Sequence, residues 1–337
     1  MVFIPHTTHR NTILCLVVFL SISATVAWWT AGGPSIERPT SDMAHYLAMA
    51  DGDPLSQLPA PFRYRPWTPW LAARIPDAPE SWLQPGRPLD RQRGHFRFAV
   101  VNVVGLTLAA TGLYRLTLRL LGGHAAGLAA GLIFLMSYHP LTTATLPMAE
   151  AWSYAFLVWA LWLLLERRHI ALGVVFVFGL ACKETILLVL PAAALLGSDR
   201  TQRIQQAIAL LPAAALYVVW RSVLWPPPEP LFSVASTQDW LHDLFVTGER
   251  LPGNAARAVL AFHLFWIPAA RAWWQRRGES GPLTRWAWLV PPILAAPFLL
   301  ALVPGRVWFF AFPFVIPLAV AGLLSWLARF RTGVTSS

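Results

Sequence analysis

The stretch IALGVVFVFGLACKETILLVLPAAALLG, residues Ile170–Gly197, carries the charged pair Lys183-Glu184 in its middle. Lys183 is the single lysine of the chain, and the other basic residues are 25 arginines. A charged pair deep in an apolar segment is costly and therefore indicates a functional site. As one helix the 28 residues would extend about 42 Å, whereas a bilayer core is about 30 Å thick. The stretch is therefore either one long tilted span or two short helices that meet at the charged pair.

Composition indicates a membrane protein. Of the 337 residues, 56% are hydrophobic and 12% are charged, whereas about 25% of residues are charged in a soluble domain. Several further windows of near-membrane length carry almost no charge: Asn11–Trp29, Phe98–Leu121, Ile204–Leu224, Arg257–Ala270, Leu289–Val303 and Val307–Leu327. We therefore predict an all-α integral membrane protein, a polytopic helical bundle.

The charges and cysteines argue against other classes. The net charge of +10 does not indicate a nucleic-acid partner, because the arginines lie in small groups at the ends of apolar segments. Cys15 and Cys182 lie in apolar segments without the spacing of a thiolate metal site, which predicts small packing residues. The apolar run up to Trp29 is long and is followed by no good Ala-x-Ala cleavage site, which predicts a retained first helix.

The arginines also decide how Ile170–Gly197 crosses the membrane. A single crossing would leave eight arginines of the second half outside the cell, and a turn at Lys183-Glu184 would leave all eight inside. They are Arg200, Arg203, Arg271, Arg276, Arg277, Arg285, Arg329 and Arg331. The positive-inside rule favours the turn. The prediction is about ten membrane segments, some of them short, in a bacterial inner membrane with both termini cytoplasmic.

We interpret residues 1–337 as one transmembrane domain with two periplasmic loops, a large one at 30–97 and a smaller one at 225–251. Thirteen helical residues reach only about 20 Å, so the turn at Lys183-Glu184 must lie below the outer surface. Broken helices at membrane depth occur only where protein or a cavity surrounds them. The pair is therefore predicted to face a polar crevice that opens to the outside.

The large loop contains two helical patterns. Ser41 or Asp42 can cap a helix that runs to about Ala50, and Pro66 suits the first turn of another helix. Helical spacing gives each a shared face, formed by Asp42, His45, Tyr46 and Met49 in the first and by Trp67, Trp70, Leu71 and Arg74 in the second. Both patterns predict amphipathic helices that lie on the membrane surface.

This topology gathers polar residues at the outer face: Lys183-Glu184, Glu150 at the start of its helix, His139-Pro140 at the end of the preceding segment, and Arg306 in a short turn. Structural alternatives stay open for each of them. Lys183 and Glu184 can be mutual partners, Glu150 a solvated first-turn acid, and Arg306 a headgroup anchor. Asp42 can be a plain helix cap. The histidines can be interfacial packing residues: His45, His95 and His139.

Four short motifs suggest a family. They are Ser41–Tyr46 (SDMAHY), Pro61–Pro69 (PFRYRPWTP), Lys183–Thr185 (KET), and Gly305-Arg306 followed by Phe312-Pro313. With these motifs the chain resembles the glycosyltransferase-C superfamily, polytopic membrane enzymes that take a sugar from a polyprenyl-phosphate carrier on the outer face. The resemblance implies inverting transfer of a sugar to an envelope acceptor. It points to Asp42 as the acidic residue of the first large outer loop.

Transfer from a lipid phosphate needs a base, cations for the departing phosphate and an apolar groove for the tail. Asp42 is the predicted base, and Arg65, Lys183 and Arg306 are the predicted phosphate ligands. Glu184 is predicted to orient Lys183. The supporting residues are Arg63, Tyr64, His45, Tyr46 and Glu150. The sequence requires no metal or cofactor, and the predicted partners are the bilayer, a polyprenyl-linked sugar and a glycan, lipid or protein acceptor.

Two other functions fit the same residues. A flippase or transporter of polyprenyl-linked sugars would need the same cations and groove, and an accessory subunit of an envelope-polysaccharide complex would use them only structurally. Transporters often contain internal repeats with paired broken helices. The halves of this chain show no clear repeat and the large loop is asymmetric, which favours an enzyme.

Overall fold

The computed structural model of the chain describes residues 6–30, 41–59, 62–83, 89–196, 200–224, 256, 259, 261–279, 281–299 and 308–334. Within these residues the regular elements are helical and no strand occurs. The predicted smaller loop at 225–251 and the predicted phosphate ligand Arg306 lie outside the described residues.

The described chain is a series of helices. In chain order the α-helices are α1 His6–Thr30, α2 Ser41–Ala50, α3 Trp67–Ala72, α4 Leu89–Leu121, α5 His124–Leu135, α6 Tyr138–Thr143, α7 Glu150–Leu165, α8 His169–Cys182, α9 Val189–Leu196, α10 Arg200–Val219, α11 Trp266–Arg276, α12 Pro282–Ala287, α13 Val290–Leu299 and α14 Phe312–Val334. A 3-10 turn precedes α9 at Glu184–Leu188, and a π-helical turn follows α10 at Trp220–Leu224.

Four helices of the described chain are long and apolar enough to cross a membrane: Arg10–Trp28, Gln92–Leu121, Arg200–Ser222 and Phe312–Phe330. They support the predicted polytopic membrane protein. The predicted short segments are also helical, in α5, α7, α8 and the stretch Glu184–Leu196. The total of ten membrane segments and the side on which each loop lies stay predictions.

The large polar loop is shorter than the sequence predicts, because α4 begins at Leu89 and not at Phe98. The added turns carry charged residues whose partners lie in the loop. Arg97 donates to Asp77 Oδ1 at 2.7 Å and to Asp51 Oδ1 at 3.2 Å. Charged residues can therefore belong to the first turns of α4, since residues of the preceding loop pair with them.

The chain divides into two compact units. Among the described residues, the first unit is drawn from 1–112, 140–193 and 197–231, and the second from 113–139, 194–196 and 232–337. The long helix α4 contributes its residues up to Gly112 to the first unit and the remainder to the second. The described polar residues that form the candidate site below all belong to the first unit.

In the first unit, α4 and α7 pack along a seam with seven-residue spacing. Trp152 Nε1 donates to the Val101 carbonyl at 3.0 Å, and Trp159 Nε1 donates to the Leu108 carbonyl at 2.9 Å. Seven residues are close to two helical turns, so both contacts fall on one face of each helix. Gly105 permits the close approach, because a Cβ atom there would lie 3.1 Å from Trp152 Cδ1. The numbers rise together along both helices, so α4 and α7 run in the same direction.

The helices α8 and α10 also run in the same direction. A Cβ atom on Gly173 would lie 3.0 Å from the Ala209 carbonyl oxygen. Further along both helices, Glu184 contacts Arg221 at 2.9 Å. The segment between α8 and α10 must therefore return to the end from which α8 starts. This is the turn that the sequence predicts at Lys183, since a single crossing by Ile170–Gly197 would have made α8 and α10 antiparallel.

Both predicted loop helices form, as α2 and α3, and they contribute to the core of the first unit. Tyr46 of α2 and Ala72 of α3 are buried in one cluster with Phe98 of α4, Ala149 and Cys182. The burial of Cys182 agrees with its predicted role as a small packing residue. That α2 and α3 lie at a membrane surface stays a prediction.

The second unit has an aromatic core around α14. Phe134 of α5 lies 4.8 Å from Phe312 and 5.9 Å from Phe309, measured between ring centroids. Trp286 Nε1 donates to the Pro313 carbonyl at 2.9 Å. The sequence predicts that His139 ends the preceding segment, which is wrong: α5 ends at Leu135 and His139 lies in α6. The ring centroids of His139 and Phe309 are 5.1 Å apart.

Candidate functional site

Glu184 is the centre of an ion-pair cluster at one end of the first unit. Its Oε2 accepts from Arg65, with 3.0 Å to Nε and 2.8 Å to Nη2. Its Oε1 accepts from Arg221 Nη1 at 2.9 Å. The three side chains are only 14–19% exposed, so this carboxylate joins two guanidinium groups in a largely buried setting. The joined segments are far apart in sequence, since Arg65 follows a 3-10 turn of the large loop and Arg221 follows α10.

Arg221 is the functional candidate that sequence reasoning missed. It lies in the π-helical turn Trp220–Leu224, one turn after Tyr217, whose hydroxyl accepts from Arg221 Nη1 at 3.1 Å. Isolated π-helical turns are frequent at functional sites. A signal was present in the sequence, because a lone arginine stands near the end of the otherwise apolar window Ile204–Leu224.

Tyrosine rings surround the two arginines. The Arg221 guanidinium carbon lies 4.9 Å from the centroid of Tyr64, and Arg65 Nη1 lies 3.4 Å from the Tyr46 hydroxyl. Cation–π contacts of this length are attractive. Burial, which outweighs the neighbouring Arg65 charge, raises the pKa of the Tyr46 hydroxyl. Tyr46 therefore stays neutral and can accept a hydrogen bond from Arg65.

A second ion pair joins Lys183 to Glu150. Lys183 Nζ lies 2.7 Å from Glu150 Oε1, and the two side chains are 11% and 3% exposed. Glu150 is the first residue of α7, where the helix dipole also favours a carboxylate. It is not the solvated acid that one interpretation of the sequence allowed, because its side chain is buried.

The predicted pairing of Glu184 with Lys183 is wrong, and the backbone gives the reason. Lys183 has φ −167° and ψ 146°, which is extended backbone between α8 and the following 3-10 turn. Neighbouring side chains point to opposite sides of an extended chain. Lys183 therefore reaches α7 while Glu184 reaches Arg65 and Arg221, so two adjacent residues serve two different ion-pair sets.

Polar packing fixes the end of α8 from which these residues project. Cys182 Sγ donates to the Ala149 carbonyl at 3.4 Å and lies 3.4 Å from Ser153 Oγ. It also lies 3.7 Å from Thr68 Oγ1. The thiol thus ties α7 and α3 to the residue before Lys183, which restricts the direction of the lysine side chain.

Other predicted site residues lie close to the cluster. Asp42 is half-buried in the first turn of α2, one helical turn before Tyr46, so the two occupy one helix face. His45 stacks against Phe62 with 4.7 Å between centroids. Arg63 is buried, with its guanidinium carbon 5.3 Å from the Tyr64 ring. The structure thus brings both Tyr46 and Glu184 into contact with Arg65, and the Lys183–Glu150 pair lies beside them.

Within the described part of the chain, no three His, Cys, Asp or Glu side chains are grouped as they would be to hold a metal ion. The cluster offers cations for an anionic group and carboxylates that hold those cations in place. An arginine presents a planar fork of donors that matches a phosphate or carboxylate group.

Comparisons with protein-family models, with curated proteins and with solved structures find no match for this chain. The likeness to the glycosyltransferase-C superfamily therefore stays a prediction from short sequence motifs.

Proposed function

We propose that this chain is a membrane glycosyltransferase that moves a sugar from a polyprenyl-phosphate carrier to an envelope acceptor at the periplasmic face of a bacterial inner membrane. The observation that carries the proposal is the convergence of Arg65 and Arg221 on Glu184, beside the Lys183–Glu150 pair. Ionisable groups within an apolar bundle mark a functional site. In this proposal the chain has about ten membrane segments and cytoplasmic termini.

The summed charge of the cluster and the adjacent Lys183–Glu150 pair suits a lipid-linked phosphate. Arg65, Arg221 and Lys183 contribute three positive charges, and Glu184 and Glu150 contribute two negative charges, which leaves a formal charge of +1. A phosphodiester that joins a lipid to a sugar carries one negative charge. Two guanidinium forks held by one carboxylate can turn their remaining donors toward such a group.

Helix directions support the orientation. In the first unit, Glu150 at the start of α7 pairs with Lys183 beside the cluster, so Arg167 and Arg168 just beyond the other end of α7 lie away from the cluster. By the same argument, Arg200 at the start of α10 lies away from Arg221. Under the positive-inside rule, the helix ends that carry Arg167, Arg168 and Arg200 face the cytoplasm in this proposal, and the ion-pair cluster faces the periplasm.

The proposed chemistry uses few residues. The Asp42 carboxylate removes the proton from the acceptor hydroxyl, whose oxygen forms a bond to the anomeric carbon of the sugar. The bond from that carbon to the phosphate oxygen breaks, and the phosphate leaves with the electron pair. Arg65 and Arg221 stabilise this departing charge, with Arg306 as a further candidate. Lys183, which pairs with Glu150, has a positioning role.

The proposal is tested with purified protein in nanodiscs, a radiolabelled polyprenyl-phosphate sugar and extracted envelope acceptors. Asp42→Asn should abolish transfer while donor binding persists, and Arg221→Met should weaken donor binding. Arg74→Ala is the matched control, because this exposed arginine stacks on Trp70 at 3.4 Å and lies outside the cluster. Full transfer activity of the Asp42→Asn variant would show that Asp42 is not the base. In a parallel assay with the protein in vesicles, movement of the donor between vesicles without transfer would indicate a transporter, and neither activity would indicate an accessory protein.

A further inference from the structure

An apolar cavity of about 430 Å³ lies in the first unit, outside the ion-pair cluster. One wall is the last part of α1, from Leu20 to Trp28, and the other is the stretch of α4 from Gln92 to Val104. Residues Ala78, Trp82, Leu83 and Thr145 complete the lining. The volume is in the range of binding sites for small molecules, about 300–1,000 Å³.

The cavity uses the face of α4 that points away from the cluster. Phe98 and Val101 pack into the core shared with α2 and Cys182. At 3.6 residues per turn, Phe96, Ala99 and Val103 lie on the opposite side of α4, and these three line the cavity. The thickness of α4 therefore separates the cavity from Arg65 and Glu184.

The lining changes from polar to apolar along α4. Gln92 and His95 provide polar groups at one end, where His95 Nδ1 lies 3.2 Å from the Thr145 carbonyl oxygen. Beyond His95, α4 contributes only Phe96, Ala99, Val100, Val103 and Val104. Such a gradient fits a molecule with one polar end and one hydrocarbon chain.

The position of the cavity identifies the kind of molecule. Both long walls, Arg10–Trp28 and Gln92–Leu121, are candidate membrane spans, so the cavity borders bilayer hydrocarbon. From Gln92 to Val104 the helix rises about 18 Å, a little more than half of a bilayer core of about 30 Å. Trp28 and Trp82 are exposed beside the cavity, as tryptophans are at a membrane interface. The length and the gradient match one lipid chain of a single leaflet.

We propose that this cavity binds one acyl chain of a bilayer phospholipid, with the ester and glycerol region of the lipid at Gln92 and His95. This lipid is distinct from the polyprenyl-linked sugar, because the donor phosphate is assigned to the opposite side of α4. The presence of this lipid site therefore does not depend on the proposed transferase activity.

The test is native mass spectrometry of the full-length chain released from nanodiscs that contain a defined phospholipid and polyprenyl phosphate. Wild type should retain one phospholipid. Ala24→Trp should weaken retention about tenfold, because the indole takes the space of the chain. Ala24 is exposed and lines the cavity, so the variant can fold. Val18→Trp is the matched control, because Val18 is exposed on α1, lies outside the lining and is about 120° around the helix from Ala24, so this variant should retain the lipid as wild type does.

Three outcomes would overturn the site: no retained phospholipid in wild type, equal retention in both tryptophan variants, or retention of polyprenyl phosphate in place of the phospholipid. The sugar-transfer assay on the same two variants separates this proposal from the proposed function. We expect both variants to transfer sugar as wild type does. If wild type and both variants all lack transfer, the result counts against the proposed transferase and not against the lipid site.

Discussion

The two units of this chain stabilise their helix ends by opposite chemistry. In the first unit, charged groups meet, with Glu184 between two arginines and Glu150 against Lys183. In the second unit, the core around Phe134 and Phe309 is aromatic, and Trp286 Nε1 donates to a backbone carbonyl. A stacked aromatic core needs no charge to hold it, whereas a buried ion pair costs desolvation energy. Charge therefore matters for the first unit and aromatic packing for the second, and four predictions test this contrast.

The largest effect is expected at the second ion pair. Lys183→Met leaves Glu150 buried without its ammonium partner, which should lower the free energy of unfolding by about 3–5 kcal/mol. Unfolding of purified protein in mixed micelles measures this. The double variant Lys183→Met/Glu150→Leu should recover most of the loss, because it buries no lone charge. A single variant as stable as wild type would mean that the pair does not hold α7 to the end of α8.

A smaller loss is expected at the Glu184 centre. Arg221→Met removes one of two arginines from the carboxylate, and a hydrogen bond to a charged group contributes about 1.5–3 kcal/mol. Arg65→Met should cost a similar amount. The loss of unfolding free energy in the double variant should differ from the sum of the two single losses, since both arginines share one partner. Strict additivity in the same unfolding assay would show that the two arginines act separately.

A pH effect is expected from Tyr46, whose pKa is raised in the folded state by burial. An unfolded tyrosine has a pKa of about 10, so folding keeps a proton that the unfolded chain releases above that pH. The contribution of the Tyr46 hydroxyl to the free energy of unfolding is complete below pH 10 and is lost as the pH rises toward the folded pKa. Between pH 9 and pH 11, wild type should lose about 1.4 kcal/mol more than Tyr46→Phe. Parallel pH curves for the two proteins would contradict this.

The smallest effect is expected in the second unit. Trp286→Phe keeps a buried aromatic ring but removes the donor to the Pro313 carbonyl, which should cost about 1 kcal/mol. Sugar transfer should remain at the wild-type level, because no charge is altered. Trp288→Phe is the control, since this neighbouring indole is exposed and should change stability little. A loss of transfer in Trp286→Phe with normal stability would place function in the aromatic unit as well.

The sequence allowed the break at Lys183 to be predicted, because 28 apolar residues around a charged pair are too long for one span and the arginines favour a turn. It allowed α2 and α3 to be predicted from caps and spacing. The partners of Glu184 could not be predicted. They depend on one extended residue, which separates neighbouring side chains, and on Arg221, which lies 37 positions away. Arginine distribution shows which end of a helix faces the cytoplasm, but not which carboxylate a guanidinium contacts.

The single extended residue between α8 and the following turn makes chain length at this point critical. Deleting position 183, or inserting one residue beside it, would turn the Glu184 carboxylate away from its arginines. Both ion-pair sets would then lose their contacts. Substitutions that preserve length disturb only one set at a time. Natural variation at this joint should therefore consist of amino-acid replacements, with insertions and deletions excluded from it.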